Sequence, residues 1–365
     1  MIPLFKHFPV LAEKLPYLAL GDFPTPVRKL GRLGSSIGAG ALYLKHDGLS
    51  GKVYGGNKVR KLEFLLGKAL RDGARELLTF GYAGSNHALA TAIYAESLGL
   101  RTISMLLPQP NARYLRQNLL MSLRYDAGLH QHNGVNALVL ASLVQLLSHR
   151  LRRGRWPRVI MPGGSSPWGT VGYVNAAYEV AEQVRGGELP EPQRIYVALG
   201  SMGTAVGLML GLRAMGLSTS VVAVRIVDEA TANPSRMVRL FRRTNGLLRS
   251  LDPSFPQVRL GVDEVEIRHG FFGERYGQFT EEGMEAVRRA YAEEGLKLEG
   301  TYTGKTLAAL IDDAGRGTLA KGTTLFWNTY NARDLSEAAA GIDYRRLPVA
   351  FHRYFEQNPQ LLDRG

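Results

Sequence analysis

The residues best suited to chemistry lie in the stretch Gly55–Glu63, GGNKVRKLE, where a lysine follows two glycines and an asparagine. The apolar residues after it recur at helical spacing, which predicts Lys58 in the first turn of a helix that Asn57 can cap. The macrodipole makes a helix N-terminus a poor place for cations, yet Arg60 and Lys61 join Lys58 there. These cations indicate that an anion or an electrophile binds at this point, although a solvated basic turn explains the pattern equally well.

A second candidate is the turn Gly200-Ser201-Met202-Gly203-Thr204, which follows a short apolar run and opens an apolar helix. Its glycines allow successive backbone N–H groups to point at one spot, and Ser201 and Thr204 add hydroxyl donors, so the turn can hold a phosphate. It matches neither a Walker A motif nor the spacing of a dinucleotide fingerprint. A plain strand-to-helix turn explains the same residues.

Two further glycine-bounded loops carry hydroxyl groups at predicted helix starts. Ser85-Asn86-His87 offers a hydroxyl and a carboxamide to a ligand, or simply a helix cap by Ser85. Tyr302 lies between Gly300 and Gly304, where packing is the commoner role of a tyrosine. The chain has no cysteine and no histidine metal motif, which predicts no metal site. A glycine-flanked lysine, a phosphate cradle and no metal together indicate pyridoxal phosphate as the cofactor.

The elements that must position these residues alternate between strand-like and helix-like patterns, which predicts βαβ units and an α/β fold with parallel strands. The predicted strands are Ala41–Lys45, Glu76–Phe80, Arg101–Leu107, Arg158–Met161, Arg194–Ala198 and Ser220–Val227. The predicted helices after the Lys58 helix are Ser85–Leu98, Asn111–Tyr125, Val135–Arg152, Thr170–Val184 and Gly203–Met215. Ligands of open α/β sheets bind beyond the carboxyl ends of the strands, where the glycine-rich turns lie.

The composition limits the class of partner. The 365 residues include 45 Lys and Arg against 32 Asp and Glu, a formal net charge of +13. The basic residues form no zinc-finger or RNP pattern, so attraction of a small anionic substrate, or solubility, explains the charge better than nucleic-acid binding. No signal peptide and no apolar run of membrane-spanning length is visible, which predicts a soluble, cytoplasmic protein with no membrane partner.

From about residue 24 to about residue 335 the sequence resembles the D-cysteine desulfhydrase / 1-aminocyclopropane-1-carboxylate (ACC) deaminase family, within the tryptophan-synthase-β-like (fold-type II) pyridoxal phosphate enzymes. GGNKxRKLE is the most specific motif, and it implies Lys58 as the lysine that bonds to the cofactor and Lys61 as a phosphate contact. Ser85 then corresponds to a nucleophile or proton-transfer group. Asn86 corresponds to the partner of the cofactor's phenolic oxygen, and Gly200–Thr204 to the phosphate loop.

The resemblance extends to two tyrosines and two threonines. Tyr302 matches a tyrosine near the cofactor face, and Tyr276 matches one in a Gly-Tyr-Gly motif whose first glycine is Arg275 here. An acidic residue follows the family's tyrosine in the ACC deaminase branch, where this chain has Thr303. Thr329 falls where the desulfhydrase branch has a hydroxyl. A carboxylate beside the ring nitrogen favours the protonated pyridinium, a strong electron sink, whereas a hydroxyl there can bond a neutral ring, which is a weaker sink. Opening a cyclopropane, which has no good leaving group, should need the strong sink. The two threonines therefore favour β-elimination.

The sequence departs from the family at three places. Gly84 stands where the family has Gln, and Leu89 where it has Arg. The stretch 326–331 replaces a His-x-Gly-Gly segment after the last strand. We therefore expect Trp327 and Tyr330 to narrow or reshape the pocket, which favours a larger, specialised amino acid as an alternative substrate.

The resemblance implies two open-sheet domains with the cofactor in the cleft between them. Residues 1–60 and 167–365 are expected to form the large domain and residues 61–166 a small inserted one. The expected reaction is a β-elimination that converts a small, D-cysteine-like amino acid into a 2-oxo acid and ammonia, with Lys58, Ser85 or Tyr302 removing the proton, in a homodimer. ACC deamination, other chemistry on a larger amino acid, and non-enzymatic binding of a phosphorylated metabolite or nucleic acid stay open.

Overall fold

The computed structural model describes residues 1–363, and two open β-sheets flanked by helices form its framework. The strands are β1 (Val27–Lys29), β2 (Ala41–His46), β3 (Glu76–Tyr82), β4 (Arg101–Leu107), β5 (Gly128–Gln131), β6 (Arg158–Ile160), β7 (Arg194–Leu199), β8 (Ser220–Arg225), β9 (Ile267–Arg268) and β10 (Thr323–Asn328). The helices are α1 (Pro3–His7), α2 (Pro9–Lys14), α3 (Gly31–Ile37), α4 (Lys58–Arg71), α5 (Asn86–Glu96), α6 (Arg113–Arg124), α7 (Val135–Arg153), α8 (Pro167–Arg185), α9 (Gly203–Ala214), α10 (Pro234–Leu251), α11 (Glu281–Glu294), α12 (Thr303–Gly315), α13 (Ser336–Ala339) and α14 (Arg353–Glu356). Between residues 1 and 363, none of the helices combines the length and the apolar character needed to cross a membrane.

The larger sheet has six strands in the order β1-β2-β10-β7-β8-β9. Its strands run parallel except for the antiparallel pair β1–β2. The last strand, β10, lies between β2 and β7, so Asn328 is in register with His46. This insertion brings the segment after Asn328 to the same sheet edge as the loops that follow β2 and β7.

The smaller sheet has four parallel strands in the order β5-β4-β3-β6. Its strands all lie between residues 76 and 160, and the strands of the larger sheet lie outside that range. The predicted α/β fold with open parallel sheets is confirmed. The domain limits at residues 61 and 166 stay a prediction. The sequence pattern missed β5, whose residues Gly-Leu-His-Gln contain no apolar run.

Helices cover both faces of each sheet. Alternate residues of β7 enter two separate apolar cores: Ile195 and Val197 pack with α8 and α9, whereas Tyr196 packs with α11 and α12. In the smaller sheet, Leu77 packs with α4 and α5, and Leu78 packs with Leu138 of α7. Strands buried on both faces are typical of parallel sheets.

A buried charge cluster joins α4 and α8 to the loop after β2. The guanidinium of Arg60 donates to the carboxylates of Asp47 and Glu179 at 2.8–3.1 Å, and Lys45 Nζ donates to Glu179 Oε1 at 2.5 Å. Two cations thus neutralise two carboxylates in the core, which removes most of the cost of burying them. The interpretation of Arg60 as part of an anion-attracting turn is therefore wrong, because its side chain forms ion pairs with Asp47 and Glu179 in the core.

The expectation that Trp327 reshapes the pocket is also wrong. Trp327 is fully buried, its Nε1 donates to Asp47 Oδ2 at 2.8 Å, and its ring packs edge-on against Tyr173. Side chains alternate along a strand, so Trp327 on β10 points into the core beneath the sheet. Tyr330, beyond the end of β10, lines the cavity described next.

Candidate active site

A cavity of about 420 Å³ opens at the carboxyl ends of strands from both sheets. Ten of the residues predicted for the site line it: Lys58, Ser85, Asn86, Gly200, Ser201, Met202, Thr204, Tyr276, Tyr302 and Thr329. Three predicted residues, Lys61, Gly203 and Thr303, lie outside its lining and are buried behind it. The tertiary structure therefore brings together segments that are far apart in the chain.

Lys58 is the first residue of α4 and is half-buried at the cavity. Burial lowers the pKa of its ammonium group to about 8, so a substantial fraction of the amine is neutral near physiological pH. Asn57 occupies the N-cap position but makes no side-chain cap; instead its Nδ2 donates to Thr204 Oγ1 at 3.1 Å. This bond ties the lysine turn to the turn that begins α9.

The turn that begins α9 is built to surround a small anion. Met202 has a φ of 71°, a left-handed conformation that is uncommon for a residue with a side chain and marks functional turns. The N–H of Gly203, the first of α9, donates to Ser165 Oγ at 3.0 Å, and the N–H groups of the next residues in the first turn have no partners within the helix. A Cβ on Gly203 would lie 2.6 Å from Ser165 Oγ and 3.1 Å from Lys61 Nζ, so a larger residue at this position would displace the Ser165 hydroxyl. Together these features form a phosphate cradle that consists mainly of the backbone of this turn.

Lys61 and Ser165 form the base of this cradle. Lys61 Nζ donates to the carbonyl of Gly163 at 3.1 Å and to Ser165 Oγ at 3.3 Å. Burial and the neighbouring Lys58 together hold the pKa of Lys61 well below its usual range. An anion bound in the cradle would offset both effects, because it favours the charged amine.

Ser85 and Asn86 begin α5 at the edge of the cavity. Ser85 Oγ accepts the N–H of Ala88 at 3.2 Å, which confirms its predicted cap and leaves the hydroxyl proton free to be donated. The carboxamide oxygen of Asn86 accepts hydrogen bonds from Tyr54 (3.2 Å) and Asn118 (2.9 Å). Asn86 therefore presents its amide N–H₂ to the cavity as a donor. Tyr54 and Asn118 had no distinguishing signal in the sequence.

Three tyrosines form the opposite wall. The ring of Tyr276 stacks on Tyr82 with a centroid separation of 3.9 Å, and the hydroxyls of Tyr276 and Tyr302 are hydrogen-bonded to each other. Burial raises the pKa of both hydroxyls well above the usual value. Both therefore stay protonated at physiological pH, and the pair can pass a proton along one hydrogen bond.

A carboxylate that the sequence analysis missed, Glu299, also lines the cavity. Its Oε1 accepts the N–H groups of Tyr302 (2.7 Å) and Thr303 (2.9 Å), and its Oε2 accepts that of Thr301 (2.8 Å). Burial raises its pKa although these bonds oppose the shift. The sequence had no local signal for this role, because a capping box has its carboxylate three positions after the N-cap, and Glu299 precedes the N-cap residue Tyr302.

Thr303 differs from the expectation that placed it against a ligand. Its Oγ1 accepts the N–H of Glu299 at 3.0 Å and is buried within the turn that begins α12. Thr329, the other predicted threonine, lies at the cavity directly after β10. Of the two hydroxyls, only that of Thr329 is thus placed to meet a ligand.

His87 carries a further sign that the cavity holds a polar ligand. It is buried at the cavity, and within residues 1–363 neither ring nitrogen has a hydrogen-bond partner. Burial lowers its pKa strongly, and Lys58 and Lys61 lower it further. Buried polar groups are rarely left unpaired, so a bound group is expected to satisfy them.

Comparisons with known proteins agree with this geometry. A profile of the family described as pyridoxal-phosphate dependent enzyme matches residues 18–329. A protein of Pyrococcus horikoshii, provisionally named a 1-aminocyclopropane-1-carboxylate deaminase, is 35% identical over 321 residues, 87% of this chain and 92% of the relative. The D-cysteine desulfhydrase of Salmonella choleraesuis is 34% identical over 304 residues, 82% of this chain and 88% of the relative. A crystal structure of an ACC deaminase homologue aligns with a TM-score of 0.76 at 32% identity, covering 92% of this chain and 98% of that one.

Proposed function

Because the chain belongs to the pyridoxal-phosphate dependent enzymes, of the D-cysteine desulfhydrase and ACC deaminase type, we propose that it holds pyridoxal phosphate and catalyses β-elimination from a D-cysteine-like amino acid. The resemblance seen in the sequence is confirmed by these relatives. They carry both activity names, so the choice between elimination and ring opening depends on the site itself.

The residues present fit this cofactor. Lys58 offers a partly neutral amine to its aldehyde, and the cradle of α9 with Lys61 offers N–H groups and a cation to its phosphate. Asn86 offers an amide N–H to its phenolic oxygen. When bound, pyridoxal phosphate supplies the electron sink that stabilises negative charge at Cα.

The choice of reaction rests on the hydrogen bonds that the Glu299 carboxylate accepts. Both of its oxygens are occupied by backbone N–H groups, so this carboxylate closes the turn before α12. The hydroxyl of Thr329 is then the group available to the ring nitrogen, and a hydroxyl leaves a weaker electron sink than a carboxylate. Elimination of a β-substituent proceeds with a weaker electron sink than the opening of a cyclopropane, so this arrangement favours elimination.

The chain supplies the proton transfers. Lys58 Nζ or Ser85 Oγ removes a proton from the substrate in this proposal, which is supported by the position of both residues in the lining of one cavity. On the tyrosine wall, Tyr302 can donate its hydroxyl proton to a leaving group and recover one from Tyr276 through their hydrogen bond. The high pKa of both hydroxyls keeps them protonated and ready for this step.

The test is release of 2-oxo acid from D-cysteine, β-chloro-D-alanine and ACC under identical conditions, with the L-enantiomers as controls. We expect turnover of the two β-substituted D-amino acids and little of ACC. Faster turnover of ACC than of both others would assign the enzyme to ring opening. The Glu299→Gln variant should keep the preference, because its amide oxygen can still accept the N–H groups of Tyr302 and Thr303, although the bond from Thr301 N–H is lost.

We further propose that the protein acts as a cytoplasmic homodimer without a nucleic-acid partner. The support is the family resemblance, which implies a homodimer, and the basic residues, which form no zinc-finger or RNP pattern. Light scattering should give about twice the chain mass of 40.1 kDa. A single-chain mass would contradict the dimer.

A further inference from the structure

The cavity has an apolar wall that the proposed chemistry does not use. We define this wall as Phe80, Leu107, Leu138, Val139 and Met161, all of which line the cavity. Phe80 lies on β3 and Leu107 on β4, Leu138 and Val139 lie in the first turns of α7, and Met161 follows β6. The wall thus belongs to the smaller sheet and its covering helix.

The strand register places the wall next to the tyrosines. Tyr82 is paired with Leu107 across β3 and β4, and neighbouring partners in a sheet point to the same face. Phe80 is two residues before Tyr82 and shares that face. Leu138 packs in the same apolar cluster as Phe80 and Leu107, so α7 covers the sheet at this point and closes the wall.

Part of the wall is open to solvent at the cavity mouth. Val139 and Met161 are each 51% exposed, and the first residue of α7, Val135, lines the cavity and is 63% exposed. Exposed apolar side chains at the rim of a cavity are typical of a binding site. A small substrate such as D-cysteine would leave it in water.

The charges of the cavity define what can lie against this wall. Among the described residues that line the cavity, the lysine Lys58 and the glutamate Glu299 are present, and there is no Arg or Asp. Lys58 is assigned to the cofactor, and the carboxylate of Glu299 is held by backbone N–H groups. The wall therefore offers no partner to a charged substrate terminus, which would lose its hydration there.

We infer that the substrate is a D-amino acid whose β-substituent ends in an extended apolar group, and that this group lies along the apolar wall. The inference rests on the proposed function, and it specifies the part of the substrate that is released. S-alkyl-D-cysteines are the simplest compounds of this class.

The reaction of such a compound balances without a further reagent. The Cα–H proton is removed and the Cβ–S bond breaks, and the sulfur leaves with the electron pair and takes up a proton as an alkanethiol. The remaining three-carbon fragment takes up one water molecule and releases ammonia as it becomes pyruvate. No oxidant or reductant is consumed.

The first test measures binding and does not depend on turnover. Calorimetry on the holoenzyme would compare D-alanine, D-norvaline and D-2-aminooctanoate, which carry no β leaving group. We expect affinity to rise about fourfold for each added methylene, as burial of apolar surface predicts. Affinity that stays flat or falls with chain length would overturn the inference.

The second test uses two neighbouring positions on α7 as a matched pair. Val139 lines the cavity, whereas Leu140 is 65% exposed and lies outside its lining. Val139→Asp should reduce the preference for D-2-aminooctanoate over D-alanine at least tenfold, and Leu140→Asp should leave it unchanged. Both side chains are exposed, so neither change is expected to unfold the protein. Equal effects of the two variants would contradict a role of the wall.

The third test separates this inference from the proposed function. Thiol and pyruvate release would be measured for D-cysteine, S-methyl-D-cysteine and S-hexyl-D-cysteine. A kcat/KM that rises with chain length supports binding of the apolar substituent along the wall. Turnover of D-cysteine with no gain from the longer chain overturns the inference and keeps the proposed function. Chain-length-dependent binding without any elimination overturns the proposed reaction and keeps the apolar binding surface.

Discussion

The indole N–H of Trp327 donates to the carboxylate of Asp47 across 2.8 Å in the buried core. Asp47 also accepts from Arg60 and from the hydroxyl of Tyr173 at 2.5 Å. The tryptophan thus completes the hydrogen bonds of a fully buried carboxylate. The residue that most conspicuously departs from the family pattern therefore acts on stability and lies away from the cavity.

Trp327→Phe should lower stability without altering substrate preference. The change removes a hydrogen bond to a buried charge and leaves a small cavity, which together cost about 2–4 kcal/mol. Urea unfolding of the holoenzyme measures the loss. Tyr330→Phe is the matched control, because Tyr330 lines the cavity and should change kinetics with little effect on stability. A shift in substrate preference in Trp327→Phe would contradict this division.

Lys58 should be the lysine that bonds to the cofactor. The three other buried lysines of the described chain are held elsewhere by hydrogen bonds: Lys45 at Glu179, Lys61 at the carbonyl of Gly163, and Lys305 at the carbonyls of Phe272 and Gln278. Lys58→Ala should lose the visible absorption of the bound cofactor and should give no lysine adduct after borohydride reduction. An adduct found by mass spectrometry on Lys61 or Lys305 would refute the assignment.

Gly203→Asp should weaken cofactor retention by at least tenfold while the fold is preserved. The new side chain would enter the space between Ser165 and Lys61 and bring a negative charge next to a bound phosphate. Cofactor content after dialysis is the measurement. Gly246→Asp is the control, since no atom lies within 4 Å of a Cβ at that position. Equal retention in the two variants would make the turn purely structural.

The reactivity of Lys58 should depend on pH with a midpoint near 8 in the cofactor-free protein. Burial lowers the pKa of this lysine to about 8, so the amine is protonated below that pH and nucleophilic above it. An ordinary lysine reaches the same point near pH 10.4. Trinitrobenzenesulfonate labelling, read by peptide mass spectrometry with exposed lysines as internal reference, checks this. A midpoint above pH 10 at Lys58 would rule out the effect of burial.

Local sequence was enough to predict several of the decisive features. Two glycines and an asparagine before an apolar periodicity placed Lys58 at the start of a helix, and α4 begins at that residue. The glycine-rich turn before α9 and the Ser85 cap at α5 followed from equally local signals. These features depend on backbone conformation and helix ends, which short stretches of chain specify.

Which side of each element faces the cavity was decided by the tertiary structure. Residues two apart on a helix point roughly 200° apart around its axis, so Lys58 and Arg60 cannot face the same side. The motif does not say which of them faces the ligand; the carboxylates of Asp47 and Glu179 bind Arg60 in the core. Lys61, about 60° from Lys58, stays on the cradle side.

The residue pattern was enough to predict the family, the open α/β fold and the loops that carry the site. It did not predict that Trp327 lies in the core, that Glu299 closes a turn, or that α7 completes an apolar wall over Phe80. These contacts depend on the position of β10 between β2 and β7 and on the packing of α7 on the smaller sheet. Both bring together residues that are distant in the chain, and no local pattern encodes such contacts.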